Sequence, residues 1–168
     1  ATVIRCPLVA ILDNPETVSI EVWLKNFIEI PPDLFIIMTG EGLRRLVGFS
    51  ERMGIKDDFI SIVARTQKLV RGPKPVVALR KIGLKADIHA ASPTTSGIIE
   101  TLTHMDIYNH KIAIQLYGLE PNERLVDYLS SRHAVSRAVA PYVYAAEVND
   151  GRVLQLIEDL HNGQVDVL

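Results

Sequence analysis

Cysteine is almost missing from this chain. Cys6 is the only one in 168 residues, so no intramolecular disulfide can form and a reducing compartment is expected. Neither sign of charge dominates. The net charge of −2 gives no electrostatic case for nucleic acid or an anionic membrane surface as a partner. No apolar run reaches the roughly 20 residues a bilayer-spanning helix needs, and the opening residues carry no charged-then-apolar leader pattern. A cytoplasmic protein without a membrane partner is expected. The usual catalytic signatures are missing too: there is no GxGxxG, no GxxxxGK[ST] and no GxSxG. His89, His104, His110, His133 and His161 show no metal-ligand spacing and no cysteine partner, so they read as surface or polar-pocket side chains and no metal is expected. Cys6, beside Pro7 and without an activating base, reads as a structural thiol.

What is present is a regular alternation. Hydrophobic residues make up 48% and charged residues 23% of the chain, enough to bury a real core. Residues 2–11 read as a β-rich run. Asn14-Pro15 then supplies a cap and first-turn proline for a helix carrying Val18, Val22, Trp23 and Phe27 inward. Pro31-Pro32 stops it, and 34–38 (LFIIM) is the uninterrupted apolar strand of a sheet covered on both faces. A helix on Leu43, Leu46, Val47 and Met53 ends at Gly54, and 57–65 reads as a short helix with a strand as the alternative. A strand at 67–70 precedes a helix at 75–82 that closes on Gly83. A strand at 87–91 leads to a helix capped by Thr94 or Thr95, burying Ile98, Ile99, Leu102 and Met105. A strand at 111–117, a helix at 122–133, a long β-rich run at 136–148 and a last helix on Val153, Ile157 and Leu160 complete the series. Strands alternating with helices predict a doubly wound α/β fold with a mainly parallel sheet, a flavodoxin-like domain of three layers. The chain opens on a strand and its last four residues resemble a strand cut partway, so it reads as a segment of a longer protein.

In open parallel sheets ligands sit beyond the carboxyl ends of the strands. Thr39-Gly40 there offers a hydroxyl and a close backbone approach, although a tight turn alone explains it. Arg71-Gly72-Pro73-Lys74-Pro75 places two cations around a glycine before a proline-started helix. It reads equally as a solvated basic turn and as an anion site. Thr94, Thr95 and Ser96 put three hydroxyls at a helix start, of which capping accounts for one or two. Gly118 closes a further strand-to-helix turn. A helix N-terminus contributes roughly 0.3–2 kcal/mol toward an anion and a charge-assisted hydrogen bond about 1.5–3 kcal/mol, whereas micromolar binding needs about 8 kcal/mol. Only several turns meeting one ligand with several carboxylates reach that figure. Tyr142 and Tyr144 share one strand face, and either is a core residue or a phenolic acid in a cleft. Asp57-Asp58 and Glu158-Asp159 read as solvated helix residues.

Residues 34–42 (LFIIMTGEG), 70–84 (VRGPKPVVALRKIGL), 94–97 (TTSG), 114–118 (IQLYG) and 142–145 (YVYA), in this order and spacing, resemble the uroporphyrinogen-III synthase family. The likeness is strongest to its bacterial branch with an RGPKP turn and a QLYG strand end, and it covers the whole chain. It implies two α/β domains joined by two strands, with the active site in the cleft between them. On that template 1–11 is a connector strand from a mostly absent first domain and 12–136 is the continuous domain. Residues 137–148 are the returning connector, and 149–168 start the discontinuous domain, truncated.

The implied activity is that of a cyclising lyase of tetrapyrrole (heme) biosynthesis. It closes hydroxymethylbilane into uroporphyrinogen III with inversion of the last pyrrole ring, without cofactor or metal. Tyr144 matches the tyrosine that assists departure of the hydroxyl. Thr39, Gly40, Gly72, Thr94, Thr95, Ser96 and Gly118 match turns that hold substrate carboxylates. Gly40 stands where many members have serine and Pro75 where many have threonine, and Arg71 and Lys74 are expected to replace those contacts. The partner is a linear tetrapyrrole and the expected state a monomer, inactive as this segment alone. The alternative is a non-catalytic ligand-binding or regulatory module on the same scaffold. A receiver-like signalling domain is weakened by the lack of an acidic cluster at the strand ends.

Overall fold

The computed structural model describes residues 6, 9–146 and 150–165. The chain folds as two compact units, Asp13–Tyr142 and a smaller one formed by Ala1–Leu12 with Val143–Leu168. Most of the opening run at 2–11 lies outside the described residues. Its tail forms β1 (Val9–Asp13), which pairs with β7 (Tyr142–Ala146) in a two-stranded sheet. The last helix, α7 (Asp150–His161), ends on Gly163 at φ 67°, where the amide of Gln164 reaches the carbonyl of Asp159. Leu154, Ile157 and Leu160 are exposed on it.

The larger unit is a five-stranded parallel sheet. Its strands are β2 (Leu34–Ile37), β3 (Gln67–Val70), β4 (Ile88–His89), β5 (Lys111–Gln115) and β6 (Val135–Val139), in the order β4-β3-β2-β5-β6. The expected doubly wound, three-layer α/β arrangement is present. Its order is the 3-2-1-4-5 of dinucleotide-binding sheets, whereas flavodoxin runs 2-1-3-4-5. The winding reverses between β2 and β5. Alternation along β2 divides the core: Phe35 and Ile37 face α1 (Thr17–Glu29), α2 (Gly40–Arg52), α3 (Lys56–Arg65) and α4 (Pro73–Lys81), while Leu34, Ile36 and Met38 face α5 (Thr95–Thr103) and α6 (Glu123–Ser131).

Several boundaries differ from those read in the sequence. The first helix begins at Thr17, because the Asn14 carbonyl oxygen of the side chain accepts the amide of Glu16 in a turn of its own while its NH₂ donates to the carbonyl of Ala140. Its inward face is Ile20, Trp23, Leu24 and Phe27, and Val18 and Val22 are 70% and 52% exposed. Glu21, Lys25 and Glu29 fall on the opposite side, and the aromatic cluster of Trp23, Phe27, Phe35 and Phe59 fixes the stripe that turns in. The segment at 57–65 is a helix, α3. The helix placed at 75–82 starts two residues earlier, with Pro73 rather than Pro75 at its first position. The strand placed at 87–91 keeps only Ile88–His89. The β-rich run from 136 is two strands broken at Ala140-Pro141. Arg137–Val139, read as connector, belongs to β6 and pairs with Ala113–Gln115.

At the amino end of β3 a buried cation fastens the fold. Lys68 Nζ donates to the carbonyls of Thr66 at 2.7 Å and Val63 at 3.3 Å, and meets Asp87 Oδ2 at 2.7 Å. A cation at these carbonyls also faces the negative end of the α3 dipole. Replacing Lys68 by Met is expected to lower the unfolding free energy by about 1–3 kcal/mol, because buried acceptors lose their donor. A urea titration of wild type and variant measures the difference.

Candidate functional site

Four strand-to-helix turns line the carboxyl edge of the sheet, after β2, β3, β4 and β5. At the winding reversal the turns after β2 and β5 are joined by a buried polar node. The amide of Thr39 donates to Gln115 Oε1 at 2.9 Å. The Thr39 hydroxyl accepts from the amide of Gly42 at 2.9 Å, capping α2, and from Tyr142 Oη at 3.3 Å, and it donates to Gln115 Oε1 at 3.4 Å. A hydroxyl has one donor and two acceptor sites, so Thr39 has none left for a ligand. In this structure the hydroxyl holds the turn. The Gln115 NH₂ bonds the carbonyl of Leu116. The node leaves no space for a side chain at Gly42, whose Cβ would run into the Gln115 amide, and beside it a Cβ at Gly40 would lie 2.5 Å from the carbonyl oxygen of Lys74. Gly40 is therefore set by the close approach of α2 to α4, and a serine does not fit this backbone there.

The turn after β3 is the basic one. Gly72 caps α4 in extended conformation (φ −168°) with no side-chain cap. Pro73 and Pro75 have no N–H, so the orphan amides at this helix start belong to Gly72 and Lys74. The Arg71 guanidinium lies 5.2 Å from the centroid of the Tyr117 ring, a cation–π pair that orients it. Among the described residues neither Arg71 nor Lys74 has a carboxylate within ion-pair distance. The two cations part company across α4. Lys74 lines a groove of about 480 Å³ between α2 and α4, and Arg71 a cleft of about 470 Å³ between α4 and the turn after β4. The paired replacement of lost hydroxyls expected of them is thus divided between two recesses.

At the next helix start Thr94 Oγ1 accepts the amide of Gly97 at 3.0 Å and bonds the Ser92 hydroxyl at 2.9 Å. Thr95 is joined to Asn122 at 3.0 Å, and Ser96 accepts from Arg124 Nη1 at 2.9 Å. Each of the three hydroxyls read as carboxylate ligands has a partner inside the protein. Gly97 is crowded by Ser92, whose carbonyl oxygen would lie 2.3 Å from a Cβ there. Gly118 sits at φ 57°, which glycine adopts without strain. Tyr142 is fully buried, while Tyr144, in the smaller unit, is 45% exposed on β7.

Sequence reasoning had passed over Gln115, Tyr117 and Asn122 as site residues. For Gln115 a signal existed: it is the one uncharged polar side chain in a strand, KIAIQ, that is otherwise apolar after its first residue.

On the outer face of the first turn, Arg44 and then Arg45 hydrogen-bond Glu41, and together they hold its carboxyl below the ordinary value of 4.5 against the opposing effect of partial burial. Arg45 also meets Asp13. A carboxylate depressed in the folded state stabilises above the unfolded value and loses that contribution as pH falls through the folded one. Stability is therefore expected to decline below about pH 4.5 with a Glu41 component, and Glu41→Gln to show a shallower decline in urea midpoints between about pH 5 and 3. For the buried node, Gln115→Leu strands the amide of Thr39 and is expected to cost about 1–3 kcal/mol, and Tyr142→Phe about 1 kcal/mol. A double-mutant cycle in urea should show the two coupled through Thr39.

Among the described residues no helix is long and apolar enough to cross a membrane. The family model for uroporphyrinogen-III synthase HemD matches residues 1–168. The Bacillus subtilis (strain 168) protein called uncharacterized protein YjjA is 30% identical over 150 residues, which is 89% of this chain and 55% of that protein. Crystal structures of uroporphyrinogen III synthase from the extremely thermophilic bacterium Thermus thermophilus are similar over 97% of this chain and 60% of theirs. A mutant form aligns with a TM-score of 0.68 at 25% identity, and the wild type with 0.63 at 26%. The chain thus spans little more than half the length of these relatives.

Proposed function

The chain belongs to the uroporphyrinogen-III synthase HemD family, and from that premise we propose that the protein cyclises hydroxymethylbilane to uroporphyrinogen III with inversion of the last pyrrole ring. The observation that carries this reading is the shared edge. Four helix-starting turns face one way, with Arg71, Lys74 and the amides of Gly72 and Lys74 available to carboxylates. A linear tetrapyrrole with acetate and propionate arms is a ligand whose many anions suit several modest sites at once.

In this scheme Arg71, Gly72, Lys74, Gly118 and the start of α5 at Thr94–Ser96 hold the arms, while Thr39 and Gly40 keep the turn in shape. Tyr144 acts on the hydroxymethyl group. Its phenol donates a proton to the departing oxygen as the C–O bond breaks and the pyrrole nitrogen lone pair forms the azafulvene cation. Water leaves. The substituted carbon of the last ring attacks the cation, and the resulting spiro intermediate fragments and recloses at the other carbon. Loss of a proton then restores the aromatic pyrrole. Holding a flexible chain so that the hindered carbon reaches the cation supplies most of the acceleration.

Hydroxymethylbilane given to the full-length protein is expected to yield the III isomer ahead of the I isomer that forms spontaneously, read by chromatography of the oxidised products. Tyr144→Phe is expected to lower kcat by about 10²–10⁴-fold with KM little changed. Only the I isomer from a protein that still binds the tetrapyrrole would identify a ligand-binding module instead.

A further inference from the structure

The cleft beside Arg71 has more cationic character than the RGPKP turn alone supplies. It measures about 470 Å³, within the range of small-molecule clefts. One side is a single face of α4, where Pro73, Val76, Val77 and Arg80 recur at helical spacing. The opposite side is the end of β4. Ile88 packs into the core with α5 and α6, so the next residue, His89, turns to the α4 side of the sheet and lines the cleft. Arg71 completes it from the end of β3. Among the described residues no carboxylate lines the cleft, and α4 contains no acidic residue. Two arginines and a histidine thus border walls of valine, proline and alanine.

We infer that this cleft seats one pyrrole ring of the substrate, with Arg71 and Arg80 taking its acetate and propionate arms and His89 donating a further hydrogen bond to one of them. This rests on the cyclisation reading for the identity of the ligand and assigns Arg80 and His89 as binding residues. The chemistry matches in number as well as sign. Each pyrrole carries two carboxylates, and the cleft holds two permanent cations around apolar walls. Arginine suits the task because its fork presents paired donors to a carboxylate. The Tyr117 ring keeps Arg71 in place before the ligand arrives.

The test uses porphobilinogen, a monopyrrole with one acetate and one propionate arm, titrated into the protein and followed by NMR. Shifts are expected at Arg71, Arg80 and His89. Arg80→Gln and His89→Gln, both at exposed positions, are each expected to weaken binding about tenfold. Lys81→Gln, on the α2 side of the same helix, should leave it unchanged. Binding that is indifferent to Arg80 and His89, or that maps to the α2–α4 groove, overturns the inference. In the cyclisation assay the same two variants are expected to raise KM for hydroxymethylbilane about tenfold. Formation of the III isomer with KM unchanged in both variants sinks the cleft and spares the proposed function. Monopyrrole binding lost in both variants, from a protein that makes only the I isomer, does the reverse.

Discussion

The carboxyl edge of this sheet depends on one hydroxyl. Thr39 stands where the winding reverses, between β2 and β5, and its side chain joins the cap of α2, the Gln115 amide and the Tyr142 phenol. Every donor and acceptor in such a buried cluster must be matched, because an unpaired one costs about 1–3 kcal/mol. The cluster therefore fixes where α2 starts and where the chain passes at Tyr142. The space closed at Gly42 follows from it, whereas at Gly40 the Lys74 backbone of α4 closes the space. A second matched network does the same for α5 and α6 through Thr94, Thr95, Asn122, Ser96 and Arg124.

That division of labour bears on how the edge meets a ligand. Side-chain hydroxyls, the first groups one would assign to substrate, hold the turns in shape. The groups left to face an anion are backbone amides at helix starts and the cations on and before α4. A rigid edge of this kind suits a reaction in which the substrate brings its own reactive centres and needs mainly to be held in one conformation. Arg71 and Lys74 occupy separate recesses on either side of α4 and so present cations in two directions.

The fold was largely legible in the sequence because the strands of a doubly covered parallel sheet are unbroken apolar runs, as at Leu34–Ile37, and because Gly54 and Gly83 mark helix ends by their positive φ. Registers were harder. In α1 two overlapping apolar stripes exist, and only the aromatic cluster with Phe35 and Phe59 selects between them. In the RGPKP turn either proline is a permissible helix start, and the backbone at Gly72 settles on the first. The site was legible as a set of turns but not as a set of roles. Thr39 meets a glutamine 76 residues away and a tyrosine 103 away, and no local pattern announces such partners. Arg80 and His89 were unremarkable for the same reason, since only the packing of α4 against the end of β4 brings them to one cleft.

A crystal structure of the protein with a bound linear tetrapyrrole is the most direct measurement of this account. It should place ligand carboxylates within hydrogen-bonding distance of Arg71 and of the amides of Gly72 and Lys74, with Thr39 still bonded to Gln115 and Tyr142. A ligand at the amino edge of the sheet, or a Thr39 hydroxyl released from those partners to bind a carboxylate, would contradict it.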